Sequence, residues 1–165
     1  MLPSGWFASR SVSDRAFRFW QRWLLGASVL FGAFGLAVAL WPDASWLALW
    51  TDAVADAFYD GAEPADAAAF RRFVLGPLGA TMAGSYLLQA AIAAVPFARR
   101  ERWAWSATLG ALAVWFVTDS ALSMAHGAAF NVWTINVVPV LAFAPPLVAT
   151  RPAFRQSGRP AVHSS

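Results

Sequence analysis

Asp119 is the residue best placed to do chemistry, because it is an acid inside a long apolar run. A charged carboxylate near the centre of a bilayer costs at least roughly 2.5–3.5 kcal/mol on insertion scales. Such a group is protonated, paired, or turned toward a polar cavity. On a helix, Thr108, Trp115, Asp119, Ser123 and His126 fall on one stripe. The following segment brings Asn131, Thr134 and Asn136 to similar depth, and the preceding one brings Thr81. The candidate ligand-binding set is therefore Asp119, Ser123, His126, Asn131, Thr134, Asn136, Trp115 and Thr81. Asp119 is the candidate acid or base. A pocket of this kind suits hydrogen bonding to, or proton exchange with, a lipophilic molecule such as a quinone or an isoprenoid. The same residues also serve as struts, since a bond from Asp119 to Asn136 or Thr134 ties two helices together.

Other chemistry is poorly supplied. Ser123 and His126 follow Asp119 on one helix, but a catalytic triad needs the base between acid and nucleophile, and here serine lies in the middle. His126 stands at a turn with Gly127, where an interfacial loop residue is expected. The second histidine, His163, is far along the tail, so no two-histidine metal or haem site can be assembled. There is no cysteine, which removes disulfides, thiolate metal sites and a cysteine nucleophile. No metal and no cofactor is predicted; a lipid, a quinone or a pigment is the class of ligand such a pocket would take.

The elements that position these residues are membrane helices. Hydrophobic residues make up 59% of the 165, and charged residues only 13%, against about 25% in soluble domains. All twelve basic residues are arginine. They border apolar runs rather than forming a solvated basic face, so topology explains them better than nucleic acid does. The spacing predicts spans over residues 23–41, 73–98, 103–125 and 129–150, within a transmembrane domain of residues 23–150. Residues 1–22 read as an amphipathic lead, with Asp14 as a helix cap. Residues 151–165 read as a disordered tail. The first run is too long for the core of a typical signal peptide and lacks a small-residue cleavage site, so it is read as an uncleaved span. Pro77 should bend the second span. Pro139, Pro145 and Pro146 should kink the fourth or end it early.

Residues 45–60 differ in kind. Asp52, Asp56 and Asp60 recur every fourth residue and Glu63 follows on the same face, opposite Trp46, Leu47, Trp50, Val54 and Phe58. This is an amphipathic interfacial helix, stopped by Gly61 and Pro64, lying on the outer surface or docked on the bundle. Its acids are the natural partners of Arg71 and Arg72. Ala80 with Gly84, and Ser28 with Gly32, are small-residue pairs suited to close helix packing. Gln89 and Tyr86 point to Ser106 or Thr108, and Glu101 to the neighbouring arginines.

Ten of the twelve arginines fall on one side of the four spans, and Arg71 and Arg72 lie opposite, beside six of the nine acids. By the positive-inside rule both termini are cytoplasmic. Trp41, Trp46 and Trp50 mark the outer interface, and Trp20, Trp23, Trp103 and Trp105 the inner one.

From the second span onward the chain resembles a group of uncharacterised bacterial four-span membrane proteins. The resemblance rests on Leu75-Gly76-Pro77-Leu78-Gly79-Ala80-Thr81-Met82-Ala83-Gly84, on Pro96-Phe97 with Arg100-Glu101-Arg102-Trp103-Ala104-Trp105, on Trp115-Phe116 with Asp119-Ser120, and on Gly127, Asn131 and Asn136. It covers about half the chain. It implies four spans and a grouping of Asp119 with the asparagines, and it implies no activity.

The sequence thus reads as an all-α, four-helix membrane bundle of a bacterial inner membrane. The leading expectation is a non-catalytic subunit or binding module, partnered by the bilayer and by other membrane subunits or itself, with no nucleic acid. A binder or converter of a lipophilic molecule at Asp119 is the alternative, and a proton-coupled transporter working as an oligomer is a third.

Overall fold

The computed structural model describes residues 12–156; the rest of the lead, and the tail beyond Gln156 with Arg159 and His163, lie outside the described residues. The described chain is all helix: α1 (Asp14–Leu40), a 3-10 turn (Ser45–Leu47), α2 (Ala48–Tyr59), α3 (Ala65–Ile92), a π-turn (Ala93–Phe97), α4 (Arg102–Ala125), a short α5 (Ala129–Asn131), a second π-turn (Val132–Asn136) and α6 (Val137–Gln156). Four helical stretches are long and apolar enough to cross a membrane: Asp14–Leu40, Ala65–Phe97, Arg102–Ala125 and Ala129–Arg155.

Local chemistry sets the ends. Ser13, rather than the expected Asp14, caps α1, its hydroxyl accepting from the Ala16 amide at 3.2 Å. Asp14 instead pairs with Arg100. Pro42 disfavours helical backbone at Trp41, and α1 stops at Leu40. Asp60 and Gly61 both take left-handed backbone, with φ of 52° and 89°, and close α2. Helix α3 begins eight residues before the expected span, in the Ala65–Ala69 run, and passes through Pro77.

Helices α1 and α3 approach most closely at two glycines. A Cβ on Gly79 would meet the Gly35 carbonyl oxygen at 2.5 Å and the Ala39 nitrogen at 2.6 Å; one on Gly35 would meet the Ala83 nitrogen at 2.8 Å. Gly32 of the expected first pair faces α3, where a Cβ on it would lie 3.7 Å from the Tyr86 Cβ. The expected Ala80–Gly84 pair is exposed, with nothing near Gly84, so it forms no seam within the chain. A helix rich in small residues presents several such pairs, and only tertiary packing selects the one in use.

The main core lies at the arginine-rich end, where Phe17, Leu24, Phe97, Phe143, Leu147 and Phe154 are buried together. The Phe97 and Phe154 rings meet edge to face at 4.8 Å, and the Arg100 guanidinium lies 4.5 Å over Phe17. Arg102 donates to the carbonyls of Phe154 (3.1 Å) and Arg155 (3.0 Å), closing the end of α6. Glu101 accepts from the Trp103 indole at 2.7 Å rather than pairing with an arginine.

The fourth span does not end at its prolines. Helix α6 runs through Pro145, Pro146 and Pro152 to Gln156, and Ala153 and Phe154, expected in the tail, are buried. Pro146 has no N–H to offer the Ala142 carbonyl one turn back. The Trp23 indole of α1 donates to that oxygen at 2.9 Å. The orphaned acceptor is satisfied from a neighbouring helix, which is how membrane helices tolerate proline.

Candidate functional site

The end of the bundle opposite the arginine core carries most of the polar side chains the sequence singled out. Gly127, with φ of 73°, turns the chain after α4, and the Ala128 amide donates to the Ser123 carbonyl at 2.8 Å. This reversal lays Asn131 beside the last turns of α4. The Asn131 amide nitrogen donates to the Ser123 hydroxyl at 2.9 Å and, at a long 3.4 Å, to the Asp119 carboxylate. Its carbonyl oxygen accepts from the Trp50 indole of α2 at 3.1 Å. One amide thus joins α2, α4 and α5. Asp119 is half-buried and Ser123 is buried.

Asn136 forms a second, deeper pair. It closes the π-turn, is fully buried, and donates to the Ser120 hydroxyl at 3.1 Å. Its carbonyl oxygen is buried with no hydrogen-bond partner. An unsatisfied buried acceptor is uncommon and costly, and π-turns recur at functional positions.

The remaining candidates do not join. His126 is exposed at the end of α4. Thr134 and Thr81 are exposed and donate within their own helices, to Phe130 (2.9 Å) and Pro77 (2.8 Å). Trp115 is half-buried. Thr108 belongs elsewhere, accepting from Gln89 of α3 at 3.0 Å. Two contributors were missed, Trp50 and Ser120. An indole N–H on the apolar face of an interfacial helix needs a partner, and that signal was available for Trp50. Ser120 adjoins Asp119 but lies off the stripe through Ser123, so stripe logic passed it over.

At the end opposite the arginine core, Arg71 and Arg72 use Glu63 of the expected acidic stripe and Asp43 of the preceding loop. Arg71 pairs with Glu63 at 3.0 Å and with Asp43 at 3.5 Å, and Arg72 reaches Asp43 at 3.8 Å. Asp52, Asp56 and Asp60 stay exposed. Helix α2 buries none of its residues; the turn before it seats Leu47 against Val38 and Leu75. Among the described residues, no three of His, Cys, Asp and Glu come together as metal ligands. Two clefts lie nearer the arginine-rich end, of about 430 Å³ beside Val95 and Trp103 and about 290 Å³ between α4 and α6; Asp119 lines neither.

Comparison of the chain with protein-family models, with curated proteins and with solved structures finds no match. The fold and the site define a small all-helical protein with four candidate membrane spans.

Proposed function

We propose that this protein is a non-catalytic subunit or binding module, assembled with other membrane proteins or with copies of itself. One observation carries the reading. Helix α2 has twelve residues and none buried; it leaves Phe58 exposed on the face opposite Asp52, Asp56 and Asp60, and Leu49 exposed beside those acids. Short helices are marginal in water without packing, and within the chain this one is held chiefly through Trp50, so a further surface outside the chain would complete its packing. The polar side chains near Asp119 fit the same reading, since they bond one another as struts. The test is purification in mild detergent after photo-crosslinking from position 49 or 58, with intact-mass analysis of everything retained. The expected result is a protein adduct. A clean monomer with no adduct overturns the proposal.

Orientation belongs to the same proposal: a bacterial inner membrane, both termini cytoplasmic, on the strength of the arginine asymmetry. Likeness to other bacterial four-span proteins is part of it.

The unpartnered Asn136 carbonyl favours a second reading. A quinol or isoprenoid hydroxyl would donate to it, with Asp119, the chain neighbour of the Ser120 that Asn136 bonds, as acid or base. In that case Asp119→Asn leaves folding intact and abolishes binding. A variant that binds as the parent does removes this reading.

A further inference from the structure

The geometry points to an anionic phospholipid site in the cleft between α4 and α6, with an acyl chain in the cleft and the headgroup phosphate held by Arg151 and Arg155. The walls are apolar: Trp105, Leu109 and Leu112 from α4 and Leu147 and Val148 from α6 border an open groove of about 290 Å³. The wall is pre-formed, because the Trp105 indole is fixed by donation to the Leu147 carbonyl at 2.9 Å. Arg151 lines the mouth, one turn beyond Leu147 and Val148, and Arg155 lies one turn further on the same helix.

These two guanidiniums lack a counter-charge within the described chain. The acids at this end are Asp14 and Glu101. Asp14 is taken by Arg100, and Glu101 accepts from Trp103. Arg102 is turned onto the Phe154 and Arg155 carbonyls. Like charges four residues apart on a helix repel. An anion between them reverses that sign, and guanidinium suits phosphate through paired N–H donors. The apolar cleft below fits the chain attached to that phosphate. The flatter cleft beside Val95 also has an arginine, Arg99, but Glu101 is in its lining and disfavours an anion there. The inference stands apart from the subunit reading, since it needs neither a protein partner nor α2.

The test is native mass spectrometry of the detergent-purified protein, titrated with phosphatidylglycerol and with phosphatidylcholine of matched chains. One phosphatidylglycerol should be retained about tenfold more strongly than phosphatidylcholine, given the contribution of each arginine near an anionic headgroup. The double variant Arg151→Gln, Arg155→Gln should bring the two lipids to parity. Both side chains are exposed, so it should fold, and circular dichroism checks that. Arg99→Gln should keep the preference. Leu112→Trp, which fills the cleft, should weaken retention of both lipids. Equal retention by the parent, or a preference that survives the double variant, overturns the site. Displacement by glycerol phosphate at the same concentration as the lipid overturns the acyl-chain part.

Discussion

Asn131 is the residue with the most polar work at the end opposite the arginine core, and it should prove more sensitive than the acid beside it. Interhelical hydrogen bonds inside membranes average about 0.6 kcal/mol each. Asn131→Ala removes its bonds to Trp50, Ser123 and Asp119, for an expected loss of roughly 2 kcal/mol. Asp119→Asn replaces the carboxyl by an amide and disturbs one long contact, for an expected loss under about 1 kcal/mol. Unfolding in mixed micelles with increasing SDS measures both; a larger loss for Asp119→Asn would contradict the strut geometry. Asn136→Leu is the sharper probe. It removes a buried unpaired oxygen together with one bond to Ser120, so stability should change by less than about 1 kcal/mol, because a stranded buried acceptor costs as much as a typical bond contributes. A loss above about 2 kcal/mol would mean the oxygen has a partner in the folded state. The grouping of Asp119 with Ser123 and Asn131 was legible in the sequence, because helical periodicity and the Gly127 turn both constrain it. The separate pairing of Asn136 with Ser120 was not, because a π-turn rotates the residues after it by an amount no regular period anticipates.

At the scale of elements, the spans were readable from their apolar length, whereas their contacts were not. Small-residue spacing named Ala80 and Gly84, and the chain uses Gly35 and Gly79. This yields a paired prediction. Gly79→Ala forces a Cβ into backbone and should cost roughly 1–3 kcal/mol. Gly84→Ala meets nothing within 4 Å and should be neutral or stabilise by a few tenths of a kcal/mol, alanine being the better helix former. Equal effects in the same SDS titration would contradict the seam. The long α6 was misjudged for a definite reason: proline rules describe an isolated helix, and the missing donor at Ala142 comes from Trp23, well over a hundred residues away in sequence. Trp23→Phe should cost about 1 kcal/mol in the parent and clearly less in a Pro146→Ala background, where a backbone N–H is restored. Additive losses would show that the two residues are not coupled.

For the molecule as a whole, the asymmetry of arginine is the largest signal in the chain, and the fold gives several of those arginines a second duty. Arg100 covers Phe17 and pairs with Asp14, and Arg102 closes α6. Reporter fusions at the two ends should both read cytoplasmic; a split result, or two external ones, would overturn the orientation. Since the same cations seal the aromatic core, charge-reversal at positions 100 or 102 confounds insertion with collapse, and Arg15 or Arg18 is the cleaner place to perturb topology. The Trp50–Asn131 clamp has a different reach. A single carboxamide holds the surface helix with its oxygen and the Ser123–Asp119 wall with its nitrogen. The two attachments are therefore in series, like links of a tether. A neighbour that lifted the acidic helix off the bundle would have to break the bond to that carboxamide or drag it along, and the contact with the Asp119 carboxyl would be the first strained.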